Sequence, residues 1–335
     1  VTSYIFSFIV LALMLGAMAY MTWFERKVLA RLQNRLGPTR TGPFGLLQPI
    51  ADAVKLLTKE DIVPAAADRW IFLAAPLLAF ALAPMTAAVI PFGDTITVFG
   101  YDVNLVVANI NVAALYFLAV GSMGVYGIIL GAYASGSRYS LLGGLRSAAQ
   151  VISYEIVLGL SLVGVFILAG SLSLVDILDA QRQQLTIGAV NLPNWYILSQ
   201  PLAFVLFLIA AVAETNRAPF DLPEAESELI AGFHSEYSGF RFALYFLAEY
   251  INMIIVSLMA STLFLGGIDG PFADGVWWLV LKALIFLFFY VWLRATLPRF
   301  RYDQLMGLAW KVLLPLSLLN LALTGLVRLF GLGAL

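Results

Sequence analysis

Only 12% of the 335 residues are charged and 61% are hydrophobic, with a formal net charge of −1. A soluble domain carries about twice that share of charge, and a mean hydropathy of +0.92 points to a chain that lives in a bilayer. There is no cysteine and a single histidine, His234, so the chain cannot ligate an iron–sulfur cluster and is a poor host for zinc or haem. No metal site is expected, any redox chemistry falls to a bound organic molecule or a partner chain, and nucleic acid is not expected as a partner.

Apolar runs long enough to cross a bilayer as helix recur at roughly 3–24, 70–90, 105–133, 148–170, 197–215, 242–266, 276–297 and 309–330. Strands of a membrane barrel would alternate apolar and polar residues instead. The expected fold is therefore all-α, a single membrane domain (1–335) with eight transmembrane helices. The first run lacks a basic leader and a small-residue cleavage site, so it reads as a retained span.

The first loop, 25–69, holds Arg26, Lys27, Arg31, Arg35, Arg40, Lys55, Lys59 and Arg69. Within it Leu46, Leu47, Ile50, Ala53, Val54 and Leu57 fall on one helical face, and Asp52, Lys55 and Lys59 take the other. Such a helix lies in the membrane interface, either as an anchor on anionic lipid or as the lip of a cavity open to something lipid-soluble. Gly37, Pro38, Gly42, Pro43 and Gly45 give it a turn-rich approach.

Further basic residues fall in the third loop (Arg138, Arg146), the fifth (Arg217, Arg241) and the seventh (Arg294, Arg299, Arg301, Lys311), whereas the even loops carry Arg182 alone among several aspartates. The positive-inside rule puts the odd loops in the cytoplasm and both termini outside.

Ionisable groups inside spans are expensive and suggest function. Glu155 lies in the fourth span, Glu214 closes the fifth, and Glu249 lies in the sixth. Lys282, in the seventh, has a second reading, snorkelling to the outer interface.

The loop 214–241 contains "AETNRAPFDLPEAESELIAGFHSEYSG" with six carboxylates, Glu214, Asp221, Glu224, Glu226, Glu228 and Glu236, against Arg217 and His234. A solvated turn is the plain reading. Against it, Glu224 and Glu228 share a helical face with no base between them, and Phe220, Leu222, Leu229, Ile230 and Phe233 interleave with the acids. Crowded, partly buried carboxyls take and release protons near neutral pH.

Four motifs, that segment with "GPFGLLQPIADAVKLLTKED", "AQVISYE" and "LPRFRYDQLM", closely resemble the H-type membrane subunits of respiratory NADH:quinone oxidoreductase (complex I), the counterparts of mitochondrial NADH dehydrogenase subunit 1. The resemblance covers essentially the whole chain. It implies a subunit that walls the quinone chamber and its mouth and couples quinone reduction to proton translocation, in a bacterial inner membrane rather than an organelle. Quinone is then the substrate, with FMN and iron–sulfur clusters on partner subunits and no cofactor on this chain. The implied partners are the peripheral-arm, small membrane and antiporter-like subunits, together with lipid.

By the same resemblance Glu155, Glu214, Glu224, Glu226, Glu228 and Glu249 form a proton path. Trp23, Phe24, Glu25, Arg26, Arg31, Asp52, Lys55 and Phe220 belong to the chamber or its mouth. Arg294, Arg299, Arg301 and Asp303, in the cytoplasmic loop 294–311, dock the peripheral arm. The chain departs from the family pattern at Thr39, where asparagine is common. A membrane anchor of a hydrogenase or formate-hydrogen-lyase assembly, or a free-standing transporter, would also use buried acids, but the intact first-loop motif argues against the former and the docking-like seventh loop against the latter.

Overall fold

The computed structural model describes residues 2–98, 101–182, 184–187, 190–222, 232–270 and 274–330. Its frame is a set of apolar helices: α1 (Thr2–Leu32), α3 (Arg69–Met85), α4 (Ala113–Ala134), α5 (Arg138–Ala169), α8 (Pro201–Glu214), α9 (Gly239–Phe264), α10 (Val276–Thr296), and α11 (Tyr302–Leu308) leading into α12 (Leu314–Leu329). Among the described residues seven helices are long and apolar enough to cross a membrane, counting the run Tyr302–Leu329 as one. The eighth, α8, has 14 residues, about 21 Å at 1.5 Å per residue. The single turn α7 (Tyr196–Ser199) precedes it and packs on it, which together give the span expected at 197–215. The chain is a multi-pass helical membrane protein.

Several helices run further than hydropathy alone suggests. α1 continues to Leu32, because "ERKVLARL" is made of good helix formers; charge there marks the edge of the bilayer and not the end of the helix. Glu25 to Arg31, expected in the first loop, are thus helical. α5 likewise starts at Arg138, so the third loop shrinks to residues 135–137 and Glu155 falls near the middle of its helix. The last helix begins at Tyr302 and passes through a π turn, Ala309–Leu313. Pro315 lies just beyond that turn, and a widened turn accommodates a ring that would otherwise press on the preceding carbonyls.

α9 is the central post. Every residue from Met253 to Phe264 is buried, and the helix packs against α1, α3, α8 and α10. α3 and α4 approach closely: a Cβ on Gly127 would stand 2.8 Å from the Ala79 Cβ, the small-residue contact that lets membrane helices pack. α2 (Gln48–Thr58) lies against α1 and α9 with Leu47, Ile50, Val54 and Leu57 exposed, as an interfacial helix requires.

At the end of the bundle opposite the basic loops, two antiparallel hairpins, β1–β2 (Thr95–Val98 with Tyr101–Asn104) and β3–β4 (Gln184–Ile187 with Val190–Pro193), extend the all-α frame. The short helix α6 (Leu174–Arg182) carries Arg182, which reaches Asp94 at 2.8 Å and Asp179 at 3.2 Å. Lys282 does not snorkel. Its ammonium donates to the carbonyls of Leu265 (2.5 Å), Gly267 (2.9 Å) and Asp269 (2.6 Å) and lies 4.6 Å from the Trp195 ring centroid, so it caps the turn that ends α9.

Candidate functional site

The end of α8 sets the site. Asn216 adopts a left-handed conformation (φ 50°), its N–H donates to Ala213 and that of Arg217 to Val212. This is a Schellman-type cap with asparagine in place of glycine. It reverses the chain within two residues, so that Glu214 and Arg217 serve different sides of the same junction. Gln150 of α5, fully buried, holds the turn. Its amide donates to the carbonyls of Ala213 (2.9 Å) and Phe220 (2.8 Å) and approaches Asn216 Oδ1 at 3.3 Å.

On the inner side lies a cavity of about 70 Å³ between α3, α4, α5 and α9, lined by Glu214, Thr215, Asn216, Tyr245, Glu249 and Asn252. That is room for a few waters. Glu214 Oε2 is buried without a hydrogen-bond partner. Glu155 of α5 lies within electrostatic reach of Glu214, so the two carboxyls act on each other.

On the outer side of α9, a groove of about 680 Å³ runs between α1, α9 and α10. Its walls are almost wholly apolar, from Phe6 and Phe92 at one end to Trp23 and Phe24 at the other. A hydrocarbon chain fits such a groove; a charged head does not.

Next to Phe24, and 3% exposed, is Glu25. Its Oε2 accepts from the Tyr250 hydroxyl at 2.6 Å, while Oε1 faces Arg294 in close contact and Arg217 Nη1 at 3.5 Å. The Arg217 guanidinium stacks 4.2 Å from the Tyr250 ring centroid. Burial works against its charge, yet Tyr250, Glu25 and Glu249 outweigh that and hold its pKa above the ordinary arginine value. Beside this cluster Arg26 pairs with Asp52 of α2 at 2.5 Å, and a chain from Thr41 (2.6 Å) through Gln48 (2.9 Å) ends on the same carboxylate.

The residues singled out in the sequence therefore divide. Glu214 and Glu249 line the inner cavity, with Glu155 within electrostatic reach of Glu214; Trp23 and Phe24 line the groove; Glu25, Arg26, Asp52 and Arg294 cluster at its basic end. Arg31 and Lys55 are exposed and take no part in the contacts described. Phe220 lines neither space. It is buried between Tyr154 (5.8 Å) and Phe300 (5.6 Å), and the neighbouring Asp221 pairs with Arg299 at 2.9 Å. Arg301 and Asp303 pair at 3.5 Å on the surface. Glu224, Glu226 and Glu228 lie outside the described residues. Arg217, which along the sequence reads as the countercharge of its own loop, turns instead to Glu25. Gln150, Tyr250 and Asn252 give no signal in the sequence, since an amide or phenol inside an apolar run carries no charge. Among the described residues no group of three His, Asp or Glu side chains could hold a metal ion.

Buried carboxyls around an internal cavity, beside an apolar groove that ends in ion pairs, define a multi-pass membrane protein with polar groups set inside its helical bundle. The sequence pattern of the NADH dehydrogenase family matches residues 5–325. The chain is 78% identical, over all of its length and 98% of the relative's, to the H-type subunit of NADH-quinone oxidoreductase from Thermomicrobium roseum. It is 55% identical to an H-type subunit of the same enzyme from Geobacter metallireducens, over 92% of this chain and 90% of that one. It belongs to the family of H-type subunits of NADH-quinone oxidoreductase, and is thus a membrane subunit of an oxidoreductase complex.

Proposed function

We propose that this chain forms the wall and mouth of the quinone chamber of the complex and couples quinone reduction to proton movement through its buried carboxyls. One observation carries the reading: a single helix, α9, lines both spaces, with Ile254 and Leu258 facing the apolar groove and Glu249, Asn252, Ile255 and Val256 facing the acid cavity. The groove accommodates the hydrocarbon tail of a quinone, and the ion cluster at Glu25 marks where its polar head leaves the lipid. Reduction of a quinone to a quinol takes two electrons and two protons. The electrons come from iron–sulfur and flavin centres on partner subunits, because this chain has no thiol ligands. Charge arriving beside Glu25 is then felt by Glu249, Glu214 and Glu155, and Glu224, Glu226 and Glu228 are assigned to the same proton path.

Basic loops face the cytoplasm of a bacterial cell whose plasma membrane holds the complex. Arg299, Arg301 and Asp303 dock the peripheral arm, and the exposed apolar face of α2 rests on lipid. Photo-crosslinking with an azido-quinone in the assembled complex tests the chamber, with label expected within residues 20–60 and on α9. Glu214→Gln tests the coupling, leaving assembly intact while lowering coupled quinone reduction. Normal turnover with normal proton pumping in that variant would sink the proton role.

A further inference from the structure

Arg217 is 7% exposed, yet its hydrogen-bonding capacity is half used: Nε and Nη2 are buried without partners, and only Nη1 approaches Glu25. Glu25 meanwhile has a closer cation in Arg294 and a donor in Tyr250. Glu249, which precedes Tyr250 on α9, lines the inner cavity together with Glu214 and with Asn216, the residue before Arg217, and its charge adds to the hold on the guanidinium. The guanidinium carbon stands 4.2 Å from the Tyr250 ring centroid and 5.8 Å from that of Phe246, so it packs on aromatic rings as well as on the carboxylate. A buried arginine with two open donor nitrogens, flanked by one carboxylate that is already served and a second within electrostatic reach, is poorly explained as a structural ion pair. It is better explained as a charge held in common.

Resting on the quinone reading above, we infer that Arg217 is a shared counter-ion that links the groove mouth to the acid cavity. When Glu25 is fully engaged by Arg294 and Tyr250, the Arg217 charge is available to Glu249. When Glu25 loses that support, as when a quinone head takes the Arg294 or Tyr250 donors, Arg217 moves toward Glu25 and its hold on Glu249 weakens. No proton or electron passes through Arg217. It is a positioning residue, and the Schellman-type cap that places it is pinned by Gln150. A change on either side is thereby a change in free energy on the other, equal in both directions.

The test is equilibrium binding of a decyl-substituted benzoquinone to the assembled complex carrying Glu249→Gln, in three backgrounds: Arg217 intact, Arg217→Lys and Arg217→Gln. Glu249 does not line the groove, so with Arg217 intact the exchange shifts the dissociation constant by about five-fold or more through linkage alone. With Arg217→Gln the shift falls below about two-fold, and with Arg217→Lys, which keeps the charge but loses the fork, it is reduced to an intermediate value. Should Arg217→Gln fail to assemble, Arg217→Lys decides the matter by the same comparison. A Glu249→Gln shift of undiminished size in the Arg217 variants overturns the inference, and so does the lack of any shift with Arg217 intact. Wild-type complex that binds the quinone without saturation, or without label in residues 20–60, sinks the quinone reading itself, so the two failures are separable.

Discussion

His234 is the group whose titration the fold exposes most directly. It sits on the basic-loop side, buried between Phe233 (4.8 Å) and Phe242 (5.1 Å), and Ser140 Oγ fixes the Phe233 carbonyl at 2.8 Å. Burial pushes the imidazole down from 6.5 to about 4, against the opposing pull of Asp221. The sign follows from proton binding. The opened segment takes up a proton near 6.5 and the packed one only near 4, so packing is at full strength above that window and weakens as pH falls through it. At 1.36 kcal/mol per pH unit the loss reaches on the order of 3 kcal/mol by about pH 4. Hydrogen–deuterium exchange of the assembled complex, corrected for the intrinsic pH dependence of exchange, reads it in peptides covering residues 232–242. Protection there should fall about forty-fold between about pH 6.5 and 4.5. His234→Phe keeps the ring packing without a titrating group and should flatten the profile. An equal acid loss in His234→Phe refutes the assignment.

The ion cluster predicts an order of effects. Glu25→Gln takes from the buried Arg217 the carboxylate it approaches and leaves it only the pull of Glu249, at about 3 kcal/mol, whereas Arg294→Gln removes a cation whose side chain is 41% exposed and leaves Glu25 held by Arg217 and Tyr250, at about 1 kcal/mol or less. Thermal unfolding of the purified complex carrying each variant checks that ranking. Lys282→Met removes a charged donor from three carbonyls at the end of α9 and should cost at least about 2 kcal/mol, read as faster exchange across 265–269. Gly143→Ala would put a Cβ 2.8 Å from the backbone of Gly232 and Phe233; lower yield and a lower melting temperature of the complex are expected, with Gly159→Ala, which has only an ordinary contact, as the silent control.

The helices are legible in the sequence because lipid demands long apolar runs, and the interfacial α2 because its period is helical. Their ends are not. Hydropathy registers where lipid stops, while α1 and α5 continue into water on residues that favour helix whatever the solvent. The hairpins at 95–104 and 184–193 are hidden for a related reason, since in a chain this apolar a four-residue strand is lost beside twenty-residue spans. Of the site, the acids can be named individually because a carboxyl in a span stands out. Their grouping cannot, because Tyr250 and Glu25 are 225 residues apart in sequence and 2.6 Å apart in space.

That separation decides how the charges should be counted. Along the sequence, Arg217 is one cation against six acids and looks insufficient. In a low-dielectric interior an ion pairs with what shares its depth, because Coulomb attraction there is several-fold stronger than at the surface. Arg217 accordingly turns to Glu25 at the end of the first membrane helix, and Asp221, four residues on, turns the other way to Arg299. Glu214, on the far side of the same cap, is left facing a cavity with one oxygen unpartnered. The cap thus sorts neighbouring charges into one paired with Glu25, one paired with Arg299, and one left beside the cavity with an unpartnered oxygen. Among the described residues, the acids at this turn therefore do not share one place: Asp221 pairs with Arg299, and Glu214 keeps one carboxyl oxygen unpartnered beside the cavity.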